Sequence, residues 1–326
     1  MPWFDMPLER LREYRTSTQE PDGLDDWWKR RIAEARALAK PPALTPRQPR
    51  LYDPIEVFDA EFSGAGGDRI RAWYLRPPSA AGGAASAPMV VKFIGYGGGR
   101  GIPTEHMVLP AIGYALLVMD TRGQGGRWAT GATPDGATGT GAENSQVMTR
   151  GILSPESYYY TRLFTDAVRA VDTAFELAGG ESDIAVTGGS QGGALALAAA
   201  ALHPGAIKVC HADMPFLCDI QRAITLAPQA PYTEIPDFLA ENTDLIEPSL
   251  NTLRYVDCAL LASRIRATTL MSVGLMDGIC PPSTVFAAYN AITADKEIAV
   301  FPFSGHNFPA THTETQLAHL RDHFPA

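Results

Sequence analysis

Gly188-Gly189-Ser190-Gln191-Gly192 matches G-x-S-x-G. In that pattern a strand ends, the chain turns sharply and a helix begins at once. The serine sits at the strained corner, so its flanking positions must be small. The apolar run Ile184 to Thr187 precedes the pentapeptide and the Ala-rich run Ala194 to Leu202 follows it. This context makes Ser190 a candidate nucleophile. A serine hydroxyl is weak at its own pKa and needs a base and an orienting acid, which in this arrangement follow in the order Ser, Asp or Glu, His. Asp277 in "GLMDGICPP" and His306 in "SGHNF" supply that order, each just past an apolar strand-like run. Active sites of open α/β sheets form at such strand ends.

Other residues compete for these roles. Asp213 also ends an apolar run, "IKVCHAD", and is a rival acid. Asp277 is preferred because it ends the last strand before that of the histidine. His211 lies within the Asp213 strand, and His106 in a loop that a pocket could include. His312, His319 and His323 fall on a C-terminal helix and read as surface or packing residues. The developing oxyanion calls for the backbone N–H of the residue after the nucleophile, Gln191, and a second N–H from a loop after an early strand. "FIGYGGGRG" fits that loop, with Tyr96 as the donor. It lacks the G-K-[ST] ending of a phosphate loop.

These residues require a scaffold of buried strands. "PMVVKFIGY", "YALLVMDTRG", "DIAVTGGS", "IKVCHADMP", "ATTLMSVGLMD" and "EIAVFPFSGH" read as such strands, and helical segments lie between several of them. That alternation predicts an α/β fold, a mostly parallel sheet with helices on both faces, in one domain over 1–326. Residues 1–50 form an N-terminal extension, in which "GLDDWWKRRIAEARALA" places Leu24, Trp27, Trp28, Ile32 and Leu38 on one helix face. "PPALTPRQPRLYDP" is an extended connector, "YDPIEVFDAEFSG" and "DRIRAWYLRPP" an antiparallel hairpin, and "SAAGGAASAP" a surface loop. Residues 125–157 form a long Gly/Thr-rich loop, and 216–250 a helical insertion after the strand ending near Asp213.

Composition narrows the function. The chain has 326 residues, 45% hydrophobic and 19% charged, with a formal net charge of -9. That balance argues against nucleic acid as a partner. No run is long and apolar enough for a membrane span, and the N-terminus lacks a secretory pattern. The four cysteines show no metal-ligand spacing and read as reduced thiols of a cytoplasmic protein.

The chain resembles the acetyl xylan esterase and cephalosporin C deacetylase family, the seventh carbohydrate esterase family. The residues that carry the likeness are the "WW" helix, "FIGYGGGRG", "DTRGQGG", "TRGILSPESYYYTRLFTDAVRAVDT", "GGSQGGALALAAA", "PFLCDIQRA", "PYTEI" and "GLMDGICPPSTVFAAYN". The resemblance implies an α/β-hydrolase fold, a triad of Ser190, Asp277 and His306, and oxyanion donors at Tyr96 and Gln191. It implies deacetylation of small acetyl esters of sugars and cephalosporins, a preference for short acyl chains, no metal or cofactor, and a cytosolic hexamer. Arg122 and Gln124 of the "RGQ" motif are expected to be structural, a buried arginine and its neighbour holding active-site loops. Tyr96, Trp128 and Phe216 are expected to wall a small acyl pocket. Two positions depart from the family pattern: Asn307 stands where a glutamate follows the histidine, and Ile94 where a histidine precedes the oxyanion tyrosine.

The alternatives are a peptidase or other-bond hydrolase on the same fold, and a catalytically inactive interaction protein.

Overall fold

The computed structural model describes residues 4–47, 49–77, 87–136, 139, 141–143, 146–180 and 183–326. Among the described residues nine strands form one sheet: β1 (Ala43–Pro46), β2 (Glu56–Ser63), β3 (Arg69–Arg76), β4 (Met89–Phe93), β5 (Ala115–Met119), β6 (Ile184–Gly189), β7 (Ile207–Asp213), β8 (Thr268–Gly274) and β9 (Lys296–Phe301). Their order is β1-β2-β3-β5-β4-β6-β7-β8-β9. From β5 to β9 every neighbour is parallel, and β1, β2 and β3 add on antiparallel. The connector expected before the hairpin therefore supplies the edge strand β1.

The apolar runs of β4, β5 and β6 are buried because helices cover both faces. One face packs beneath the helices Leu24–Ala37, Tyr159–Leu177, Gln191–Leu202 and Pro282–Ala291. The other receives the C-terminal helix Thr311–His323 through Leu320, with Phe324 just beyond it. The helix Gln191–Leu202 carries no polar stripe and is buried almost throughout, as an all-apolar helix must be.

The N-terminal helix buries Leu24, Trp27, Trp28, Ile32 and Ala35. Each large side chain so buried contributes roughly 1.5–3 kcal/mol, enough to fix the extension to the body. Leu38, expected on that face, lies past the helix end and is exposed. The insertion after β7 is helical but runs beyond residue 250. It comprises Ile220–Leu226, Glu234–Glu241, Ile246–Leu253 and Cys258–Leu261, with short turns between them and before β8. In the Gly/Thr-rich loop, Asp135 meets Arg150 and Arg162. Burial would raise its carboxyl, but those two guanidiniums hold it below the usual range. Most of "SAAGGAASAP", and residues 137, 138, 140, 144 and 145 of the long loop, lie outside the described residues.

Candidate active site

Tyr96, Ser190, Asp277 and His306 follow the C-terminal ends of β4, β6, β8 and β9. Ser190 takes φ 58° and ψ -122°, a conformation that costs energy for any residue with a side chain. Its surroundings enforce it. The Ser190 N–H donates to the Asp213 main-chain oxygen at 2.8 Å, and its carbonyl accepts from Ala194 and Phe216 at 3.0 Å each. The small flanking residues are a packing necessity. A Cβ at Gly188 would lie 2.4 Å from the Gly192 backbone, and one at Gly192 2.4 Å from the Phe93 oxygen.

Asp277 is fully buried. Its Oδ1 accepts the N–H groups of Ile279 (2.8 Å) and Cys280 (3.0 Å). Its Oδ2 lies 2.7 Å from His306 Nδ1. An acceptor at that distance places the imidazole proton on Nδ1 and leaves Nε2 to accept one. Ser190 and His306 open onto one cleft of about 620 Å³, walled in part by Ile94, Tyr96, Trp128 and Met214.

Gln191 opens its helix, so its N–H has no partner within that helix. Its side chain is a strut: Oε1 accepts from Gln124 Nε2 (2.9 Å) and the Tyr160 hydroxyl (3.1 Å), and Nε2 donates to the Ile94 oxygen (3.2 Å). The Tyr96 hydroxyl donates to Glu234 Oε1 (2.7 Å) and accepts the Val147 N–H (3.2 Å). Burial and Glu234 push this phenol well above its ordinary value.

Trp128 donates its ring N–H to the Tyr96 oxygen at 2.9 Å, yet 62% of it is exposed, so it forms the lip of the cleft. Phe216 corrects an expectation. It is wholly buried behind Tyr96 (ring centroids 6.4 Å) and Tyr232 (4.2 Å), and it backs the wall without lining the cleft.

Arg122 is fully buried and pairs with both oxygens of Asp166 (2.5 and 2.8 Å) and with Asp68 (3.0 Å). Gln124 joins the two proposed donor segments: its Oε1 accepts the Gly97 N–H (2.7 Å), and its Nε2 donates to the Tyr159 hydroxyl (2.8 Å) and Gln191. Gln124→Leu would leave the Gly97 N–H and the Gln191 strut without these bonds, at about 1–3 kcal/mol for each buried group left unpaired. The expected result is a drop of about tenfold in kcat on an aryl acetate, with KM nearly unchanged. Wild-type kcat in a folded variant would contradict this.

The rivals are placed elsewhere. The Asp213 carboxylate bonds Ser272, His312 and Gln316, not His306. His106 borders the cleft but is held by the Arg100 oxygen and Lys92 (2.9 and 3.3 Å). Burial, aided by Lys92, lowers it to about 4. His211 contacts His319 at 3.1 Å. Asp277, Cys280 and His306 have donor atoms within 4.8 Å of one another, the set among the described residues that a metal could approach. The donor chemistry fits a cation poorly. Burial holds the Cys280 thiol well above its ordinary value, in reach of the Ser190 side chain, and the Asp277–His306 hydrogen bond already occupies the other two. Glu234, Tyr160 and Cys280 were not singled out from the sequence. Their role depends on side-chain direction, which periodicity does not report.

The model of the acetyl xylan esterase family, AXE1, matches residues 1–323. The chain belongs to that family. An acetyl xylan esterase from Paenibacillus sp. R4 superposes with a TM-score of 0.87 at 36% identity, covering 98% of this chain and 100% of that one. Acetyl xylan esterase 1 from Thermoanaerobacterium sp. JW/SL YS485 gives 0.87 at 32% identity with the same coverage. The acetyl esterase Axe7A of Xylanibacter ruminicola is 27% identical over 321 residues, 96% of this chain and 69% of its own. The fold is that of the α/β-hydrolase esterases, and the protein is a carboxylic ester hydrolase. No helix among the described residues is long and apolar enough to cross a membrane.

Proposed function

We propose that this esterase deacetylates acetylated sugars such as xylo-oligosaccharides, and cephalosporin-type acetyl esters, through an acetyl-enzyme on Ser190. The observation that carries the reading is the Asp277–His306 pair at 2.7 Å on the cleft that holds Ser190 at its strained corner. His306 Nε2 takes the Ser190 proton as Oγ attacks the acetyl carbonyl. The N–H groups of Gln191 and Tyr96 receive the negative charge on the carbonyl oxygen. The tetrahedral adduct collapses, the C–O bond to the alcohol breaks, and His306 returns the proton to the departing alcohol. Water then attacks the acetyl-enzyme by the same route and releases acetate. Asp277 fixes the imidazole tautomer throughout. Assembly as a hexamer and a cytosolic location belong to the same proposal.

Tyr96 and Trp128 close the acyl side of the cleft, backed by Phe216. A series of aryl esters from acetyl to octanoyl tests this: kcat/KM is expected to fall about 5–150-fold across it, since overpacking a filled site typically costs about 1–3 kcal/mol. A flat or rising series would remove the small-pocket reading.

A further inference from the structure

An Asp–His pair that the reaction does not use lies directly behind the nucleophile. Asp213 ends β7, opposite Gly189 on β6 and Ser272 on β8. Its main-chain oxygen holds the Ser190 N–H at 2.8 Å. Its buried carboxylate accepts from Ser272 Oγ (2.7 Å), His312 Nε2 (2.9 Å) and Gln316 Nε2 (2.7 Å). His312 and Gln316 stand in the N-terminal half of the helix Thr311–His323, just beyond the loop that carries His306. The His312 ring packs edge-on against Phe301 and Phe308, with centroids 5.3 and 5.0 Å away. Those two phenylalanines flank the His306 loop: Phe301 ends β9 and Phe308 lies beyond the histidine.

Two sets of contacts therefore locate His306. One ties its loop to the Asp277 segment. The Met276 N–H donates to the Ser304 oxygen at 3.0 Å, and the backbones press so close that a Cβ on Gly274 would lie 2.2 Å from the Gly305 oxygen. These contacts set His306 against Asp277. The second set runs from the Ser190 N–H through Asp213 to His312, and from His312 to both ends of the loop.

We infer that His312 is a positioning residue for the ester-cleaving reaction: bound to Asp213 and wedged between Phe301 and Phe308, it sets the His306 loop against the nucleophile corner. The inference rests on the proposed roles of Ser190 and His306. Proton transfer from a serine to an imidazole requires heavy atoms about 2.6–3.2 Å apart. A displacement of about 1 Å can cost about a hundredfold in rate. An ionised Asp213 carboxylate can only accept, so its bond to His312 places a proton on that Nε2.

Two His312 variants separate the bond from the packing. His312→Phe keeps a ring between Phe301 and Phe308 and deletes the donor to Asp213. His312→Gln keeps a donor and deletes the ring. The readouts are kcat and KM on an aryl acetate, and both the rate and the end-point stoichiometry of fluorophosphonate labelling. His312→Phe is expected to lower kcat and the labelling rate in parallel by about 10–100-fold. KM is expected to change less than about twofold and labelling to reach completion, as uniform binding is untouched. His312→Gln, which keeps the donor to Asp213 but cuts the ring contacts to Phe301 and Phe308, is expected to slow both kcat and labelling by a similar factor.

Three results would overturn the inference. One is labelling of His312→Phe at the wild-type rate, whether complete or confined to a reduced fraction of chains. Another is labelling of His312→Gln at the wild-type rate. The third applies if His312→Phe does not fold: Gln316→Met, which removes the less buried donor to the same carboxylate, is then expected to slow labelling several-fold, and wild-type labelling of it would overturn the inference. Failure of the underlying reading looks different, because wild type itself would not be labelled at all.

Discussion

Ser190→Ala is expected to abolish turnover of aryl acetates, with kcat falling by about 10⁶, while the variant folds as wild type does. The substitution removes one atom, Oγ. Everything that holds the corner is backbone: the Ser190 N–H to the Asp213 oxygen, and the Ser190 carbonyl to Ala194 and Phe216. Alanine keeps the Cβ, so the strain at φ 58° is the same in both proteins. Thermal unfolding should accordingly shift little. The residual rate, about 10³ above that in water, would come from the Gln191 and Tyr96 N–H groups and from binding. Fluorophosphonate is expected to label wild type and to leave Ser190→Ala unlabelled. Labelling that persists at another residue would assign the nucleophile elsewhere, and a folded wild type that takes no label would end the serine-esterase reading.

The proposed nucleophile is the most legible part of the chain because its signal is steric. Gly188 and Gly192 are small for the reason the pattern supposes: the strand, the corner and β4 approach within distances that exclude a Cβ. Strand ends are legible too: β4 and β8 are buried apolar runs that end before Tyr96 and Asp277, whereas β9, expected to be buried, is the half-exposed edge strand, and its apolar residues still place His306 at the same end of the sheet. The bracing was less legible. Arg122 was expected to be a buried tie, but its partner Asp166 sits mid-helix with nothing local to mark it. Glu234 reaches Tyr96 across 138 positions of sequence. Such pairings follow from how loops and helices meet above the sheet, which spacing along one chain does not encode. Phe216 shows the same limit. An aromatic beside the nucleophile strand reads as a pocket wall, yet its side chain turns inward behind Tyr96. The rival acid Asp213 ends β7, as its apolar run implies. Its partner His312 comes from the far helix, so only the assembled fold separates it from Asp277.

Asp277→Asn is expected to lower kcat by about 10⁴ with KM little changed, because the substitution inverts the hydrogen-bonding sense at His306. Two backbone N–H groups, those of Ile279 and Cys280, point at Oδ1. They are donors, so the side-chain oxygen of an asparagine must stay with them. Its NH₂ group is then the atom that faces His306 Nδ1. A donor there requires Nδ1 to accept, which moves the imidazole proton to Nε2, the nitrogen that must take the Ser190 proton. The histidine is in place and in the wrong tautomer. Asp277→Ala lacks that forced inversion, so a milder loss in the alanine variant than in the asparagine variant would mark tautomer control rather than lost packing. The same measurement settles the choice between the two strand-end acids. Asp213→Asn should act through the placement of His312 and Gln316 and cost about 10–100-fold. Should Asp277→Asn stay within tenfold of wild type while Asp213→Asn loses about 10⁴, the orienting role would pass to Asp213.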